Sequence, residues 1–81
     1  MRLFFLQYDR ALGKLLDLRE FDDSTQSREE AGKLRLAKEL ATRTDPNIEN
    51  IVIGSDSAAS LRRTHGRYFY TVAELAAGKL D

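Results

Sequence analysis

Two apolar runs open the chain, and they differ in how their side chains alternate. In residues 2–8 (Arg-Leu-Phe-Phe-Leu-Gln-Tyr) both alternating sets are apolar: Leu3 and Phe5 fall on one side, Phe4, Leu6 and Tyr8 on the other. A strand that is apolar on both faces belongs inside a sheet rather than at its edge. Residues 14–21 alternate more cleanly, with Leu16 and Leu18 facing one way and Asp17 and Arg19 the other. Between the runs, Asp9 is placed to start a turn by accepting hydrogen bonds from the backbone just after it. Gly13 is placed to take the positive φ that closes a bulged hairpin loop. The pattern predicts a β-hairpin.

Residues 22–27 are polar and break the strand. Ser27-Arg28-Glu29-Glu30 has the form of a capping box and predicts a helix over 28–43. Leu34, Ala37, Leu40 and Ala41 form one apolar stripe at helical spacing, with Leu36 on its shoulder, and this stripe is expected to cover the sheet. Asp45-Pro46-Asn47 ends the helix. The consecutive Ile51, Val52 and Ile53 predict a strand over 48–53 that is also buried on both sides. After Gly54, Ser55 or Asp56 is expected to cap a short helix with Ala58 and Leu61 inward, and His65-Gly66 to end it. Arg67-Tyr68-Phe69-Tyr70 reads as an extended segment or a short fourth strand. Thr71-Val72-Ala73-Glu74 is a second capping box, opening a terminal helical turn that Gly78 would stop.

The predicted fold class is therefore α/β (α+β), in the order β-β-α-β-α. Its sheet is small and three-stranded, with a possible fourth strand at 67–70, the 28–43 helix on one face, and short C-terminal helices. A crossover through the long helix places the strand at 48–53 parallel to the strand at 14–21. The doubly apolar first strand then sits between them. The second face of that strand needs cover as well, from the C-terminal helices or from a partner chain.

Composition narrows the function classes. The 81 residues suffice for one small domain, 1–81, with a modest core. The 13 basic and 13 acidic residues cancel, so no global field draws the chain toward nucleic acid or anionic lipid. Zero net charge also permits self-association. The absence of cysteine removes disulfides, thiolate catalysis and cysteine-based metal sites, and favours a cytoplasmic location. The apolar run Leu3–Leu6 is too short for a signal core or a membrane span.

One stretch is electrostatically uneven. Arg62, Arg63, His65, Arg67, Tyr68 and Tyr70 stand together, with no acidic residue between Ser57 and Ala73. Arginines clamp phosphates and tyrosines stack on unpaired bases, so these residues are the candidate contacts for a partner or for nucleic acid. The plainer reading is a solvated helix face followed by aromatics packed on the core. Gly54-Ser55-Asp56-Ser57 lacks the glycine spacing and the lysine of a nucleotide-binding loop. His65 is the only histidine and has no nucleophile at a defined spacing. The acids Asp17, Glu20, Asp22 and Asp23 match no calcium loop, though they could meet the basic stretch of another copy. No catalytic residue, cofactor or metal ligand set is expected. The expected function is a non-catalytic protein-interaction module that self-associates, with weak nucleic-acid binding through residues 61–70 as the alternative.

Overall fold

A computed structural model of the protein describes residues 1–70. It contains β1 (Arg2–Asp9), β2 (Lys14–Phe21), α1 (Thr25–Ala41), β3 (Ile48–Ser55), α2 (Ala58–Thr64) and a 3-10 turn, η1 (Gly66–Tyr68). The three strands form one sheet in the order β2-β1-β3, with β1 antiparallel to both neighbours. β2 and β3 thus run parallel to each other on either side of β1, as the crossover through α1 requires. The expected capping box at Thr71–Glu74 and the stop at Gly78 lie outside the described residues.

The doubly apolar character of β1 accounts for its central place. Phe4, Phe5 and Leu6 are fully buried. One face of the sheet carries Phe4, Leu6 and Tyr8, opposite Ile53 and Ile51 of β3. These residues pack with Leu61 and Ala58 of α2 and with Tyr68 and Phe69 of the segment that follows. The opposite face carries Phe5 and Gln7, opposite Val52 and Asn50, and lies beneath α1. Burial of the three β1 side chains contributes about 1.5–3 kcal/mol each relative to exposure.

The hairpin forms as the sequence dictates. Asp9 accepts from the backbone N–H groups of Ala11 (2.9 Å) and Leu12 (3.0 Å), and Gly13 takes φ +64°. The register slips between Gln7 and Tyr8, so Leu16 is passed over as a bulge. The backbone N–H of Arg10 donates to the carbonyl of Asn47 (2.8 Å), and its guanidinium donates to the carbonyl of Pro46 (2.6 Å). The hairpin loop is thereby tied to the turn that enters β3.

Four local expectations are corrected. The cap of α1 is Ser24 rather than Ser27: Ser24 Oγ accepts from the N–H of Ser27 at 3.0 Å. Asp22 causes the earlier start, because it accepts from the N–H of Ser24 at 3.0 Å and holds Ser24 extended. The helix ends at Ala41 with Thr42 as its cap, two residues short of Arg43. The cap of α2 is Ser57, whose Oγ accepts from the N–H of Ser60 at 3.0 Å; Ser55 is still in β3. His65 does close α2, but Gly66 does not take the left-handed conformation, since Gly13 is the only described residue with positive φ.

Residues 67–70 are not a fourth strand. The carbonyl of His65 accepts from Tyr68 N–H, and that of Gly66 accepts from the N–H groups of Phe69 and Tyr70. The chain coils into η1 because this turn drives the Tyr68 ring into the core against Tyr8. The two rings meet edge to face, with centroids 5.1 Å apart and planes at 87°.

Of the expected helical stripe only Leu34 is covered; the rest of it faces outward. The covered positions of α1 are Ser27, Ala31, Leu34, Lys38, Glu39 and Thr42. Leu36 and Leu40 point outward, 57% and 59% exposed, and Ala37 and Ala41 are exposed as well. Ala31 is small enough to bring the helix close to the sheet, and it is fully buried. The polar positions on the same side find partners. Thr42 Oγ1 accepts from Asn50 Nδ2 at 3.1 Å, and Lys38 Nζ lies 3.5 Å from Asp17.

Candidate interaction surface

The sheet face that holds Phe4, Leu6 and Tyr8 is covered unevenly. α2 and η1 sit over its β1 and β3 portion. β2 contributes Leu18, opposite Leu6, and Leu15, opposite Tyr8 and packed on the core, to the same face, while Leu16 is bulged out of the register. Leu16 is 45% exposed and Leu18 39% exposed, and Leu12 in the adjoining loop is 71% exposed. Leu18 faces one way and Asp17 and Arg19 the other, as the sequence predicts, but the bulge at Leu16 breaks the alternation toward the loop and puts Leu15 on the Leu18 side. Asp17, on the α1 side, is the better covered residue, since Arg19 (3.2 Å) and Lys38 (3.5 Å) reach its carboxylate. β2 is an edge strand, so its outer row of backbone N–H and C=O groups has no partner strand among the described residues.

The basic and aromatic residues at 61–70 divide into two groups. Arg62 and Arg63 are exposed on the last turn of α2, and the Arg62 guanidinium lies 5.9 Å from the centre of the Phe69 ring. His65 is half-buried, with Nδ1 2.8 Å from Thr64 Oγ1. Tyr70 is half-buried and engaged within the chain. Arg67 and Tyr68 belong instead to a polar knot around Glu49 of β3. The Tyr68 hydroxyl donates to Glu49 Oε2 at 2.5 Å, and Arg67 Nη2 donates to the same oxygen at 2.9 Å. Arg67 Nη2 also donates to Tyr68 Oη at 2.5 Å, and its guanidinium lies 4.0 Å from the centre of the Tyr68 ring. Arg10 approaches the other carboxylate oxygen at 4.0 Å.

The electrostatics of the knot follow from that geometry. Burial pushes the Glu49 carboxyl up, but the Tyr68 hydrogen bond and the Arg67 and Arg10 charges outweigh it, leaving Glu49 below the usual carboxylate range. Burial and the Glu49 carboxylate together push the Tyr68 phenol up to about 12. The knot locks η1 to β3. It keeps the Tyr68 ring in the core, only 5% exposed, so that the ring is withdrawn from any stacking surface. Neither Glu49 nor Tyr8 was singled out from the sequence as a partner of this stretch. The available signal was Glu49 itself, a charged residue at the start of an otherwise apolar strand.

The acidic residues near the end of β2 are matched locally. Glu20 pairs with Arg2, and Asp23 accepts from Arg28. Asp22 is held at about 2, chiefly by its hydrogen bonds with Ser27 and Ser24. Among the described residues, no three His, Cys, Asp or Glu side chains are grouped as a metal site would need. No helix among them is long and apolar enough to cross a membrane.

Compared with protein-family models, with curated proteins and with solved structures, the chain matches none of the three.

Proposed function

We propose that this protein is a non-catalytic interaction module that associates with a second copy of itself through the β2 side of its sheet. One observation carries the reading: Leu16 and Leu18 stand exposed on β2, beside a face that α2 and η1 cover elsewhere, along a strand whose outer edge is unpaired among the described residues. Burying Leu12, Leu16 and Leu18 against a partner would remove a continuous apolar surface from water. Zero net charge opposes the approach of a second copy only weakly.

Sedimentation or light scattering at micromolar concentration tests this directly. A dimer is expected, and replacement of both Leu16 and Leu18 by Ser is expected to give a folded monomer. A parent protein that stays monomeric across the micromolar range would overturn the proposal. The exposed, acid-free pair Arg62 and Arg63 favours the second reading, weak nucleic-acid binding. Under that reading an oligonucleotide binds at low salt, and Arg62→Glu with Arg63→Glu abolishes the binding.

A further inference from the structure

We infer that two copies join edge to edge through β2, antiparallel about a two-fold axis at Leu18, to make one six-stranded sheet. The inference rests on the self-association proposed above and adds its geometry. The two edges of the sheet face different conditions. β3 is flanked by α1 on one face and by α2 and η1 on the other, whereas β2 combines the exposed Leu16 and Leu18 with an edge that is unpaired among the described residues. The stretch of β2 from Asp17 to Phe21 is regular, paired residue for residue with Gln7 to Leu3. The bulge at Leu16 lies toward the hairpin loop and leaves this stretch straight enough to receive a partner.

The charges of β2 select the register. An antiparallel pairing that keeps apolar residues on one face must be centred on a residue of the strand, because a one-residue slip exchanges the faces. Centred on Leu18, Leu18 meets Leu18 of the second copy and Asp17 meets Arg19 on both sides of the axis. Centred on Asp17, Arg19 or Glu20, the pairing sets that charge directly against its own copy, which is destabilising. Centred on Leu16, the overlap shrinks to residues 14–18. Leu18 is thus the one centre that is long and has opposite charges opposed. The joined sheet sets Leu18 of the two copies side by side on the face that α2 and η1 cover elsewhere.

The lack of cysteine in the chain makes the geometry testable by site-specific cross-linking. Directly opposed residues in an antiparallel pair have Cα atoms about 4.5–5.5 Å apart, within disulfide range. Under mild oxidation Leu18→Cys is expected to give a covalent dimer. Glu20→Cys places like sulfurs four residues apart along the strands, about 13 Å, and is expected not to cross-link. Asp17→Cys and Arg19→Cys, mixed together, are expected to cross-link with each other. Arg19→Glu opposes acid to acid on both sides of the axis and is expected to raise the dimer dissociation constant about tenfold. A dimer that cross-links through Glu20→Cys alone and not through Leu18→Cys overturns this register while leaving self-association in place. A monomer at every concentration overturns both.

Discussion

Tyr68 and Glu49 share a 2.5 Å hydrogen bond across 19 positions of sequence, and that bond is what fastens the end of the described chain to the sheet. The phenol donates and the carboxylate accepts, with Arg67 donating to both. A hydrogen bond to a charged acceptor contributes about 1.5–3 kcal/mol. Tyr68→Phe keeps the ring against Tyr8 and removes only the donor. Arg67 still serves Glu49, so a loss of about 1.5 kcal/mol in urea-induced unfolding is expected, with the parent slope unchanged.

The same pair gives the protein an alkaline limit. The Tyr68 phenol is raised from its ordinary value of 10.0 to about 12, so the folded state holds this proton more tightly than the unfolded chain does. Its contribution is complete below pH 10 and is lost as pH rises through about 12. The Glu49 carboxyl is lowered, and its contribution has the opposite sense: present above the ordinary carboxylate range, and lost as pH falls through the lowered folded value. Stability followed by circular dichroism between pH 9 and 12 is expected to fall more steeply in the parent than in Tyr68→Phe. Equal slopes would show that the phenol does not titrate against Glu49.

On the other face of the sheet, a chain of side chains joins β1, β3 and the end of α1. Gln7 Nε2 donates to Asn50 Oδ1 at 3.1 Å, Asn50 Nδ2 donates to Thr42 Oγ1 at 3.1 Å, and Thr42 Oγ1 donates to the Lys38 carbonyl at 2.7 Å. Gln7 is buried, at 8% exposure. Asn50→Ala leaves its amide with no acceptor, and leaving a buried donor unpaired costs about 1–3 kcal/mol. Replacing Gln7 and Asn50 together by Leu and Val is expected to recover most of that loss, because no polar group is then stranded. Chemical denaturation of the single and double variants checks the difference.

Much of the fold could be read from side-chain alternation. Phe4, Phe5 and Leu6 require cover on both sides and so put β1 in the centre. Asp9 and Gly13 supply the two chemical needs of the hairpin loop. The orientation of α1 could not be read in the same way, because leucine spacing identifies a stripe without saying what it faces. The sheet beneath α1 presents Gln7, Asn50 and Asp17, so the helix side that suits it is the one with Ala31, Lys38 and Thr42. Residues 67–70 misled for a related reason: an alternating Arg-Tyr-Phe-Tyr looks like a strand unless a distant acceptor for Tyr68 is known. Glu49 is that acceptor, and no local pattern ties it to Tyr68. The exposed leucines of β2 were visible as an alternation, but their exposure depends on where α2 stops across the sheet, which is a tertiary fact.

The hairpin loop offers a test confined to backbone conformation. Gly13 holds φ +64°, and the nearest atom to an added Cβ there is Tyr8 Oη at 3.8 Å, an ordinary contact. Gly13→Ala therefore meets no clash, and any loss arises from forcing an L-residue into the left-handed region, about 1–2 kcal/mol. Asn tolerates that region better, so Gly13→Asn is expected to lose less than Gly13→Ala. Equal losses would point to space rather than φ as the constraint.

The outward-facing leucines of α1 make the last prediction, which separates the observed packing from the one leucine spacing suggests. If Leu36 and Leu40 lined the core, replacing either by Gln would cost several kcal/mol, as the removal of large buried side chains does. They are 57% and 59% exposed, so Leu36→Gln and Leu40→Gln are each expected to change stability by no more than about 0.5 kcal/mol. Ala31, at 1% exposure, behaves in the opposite way. Ala31→Leu forces extra methylene groups between α1 and the sheet and is expected to cost about 1–3 kcal/mol. Thermal or urea unfolding of the three variants decides the matter: large losses at Leu36 and Leu40 with tolerance at Ala31 would mean that α1 presents its leucine stripe to the sheet.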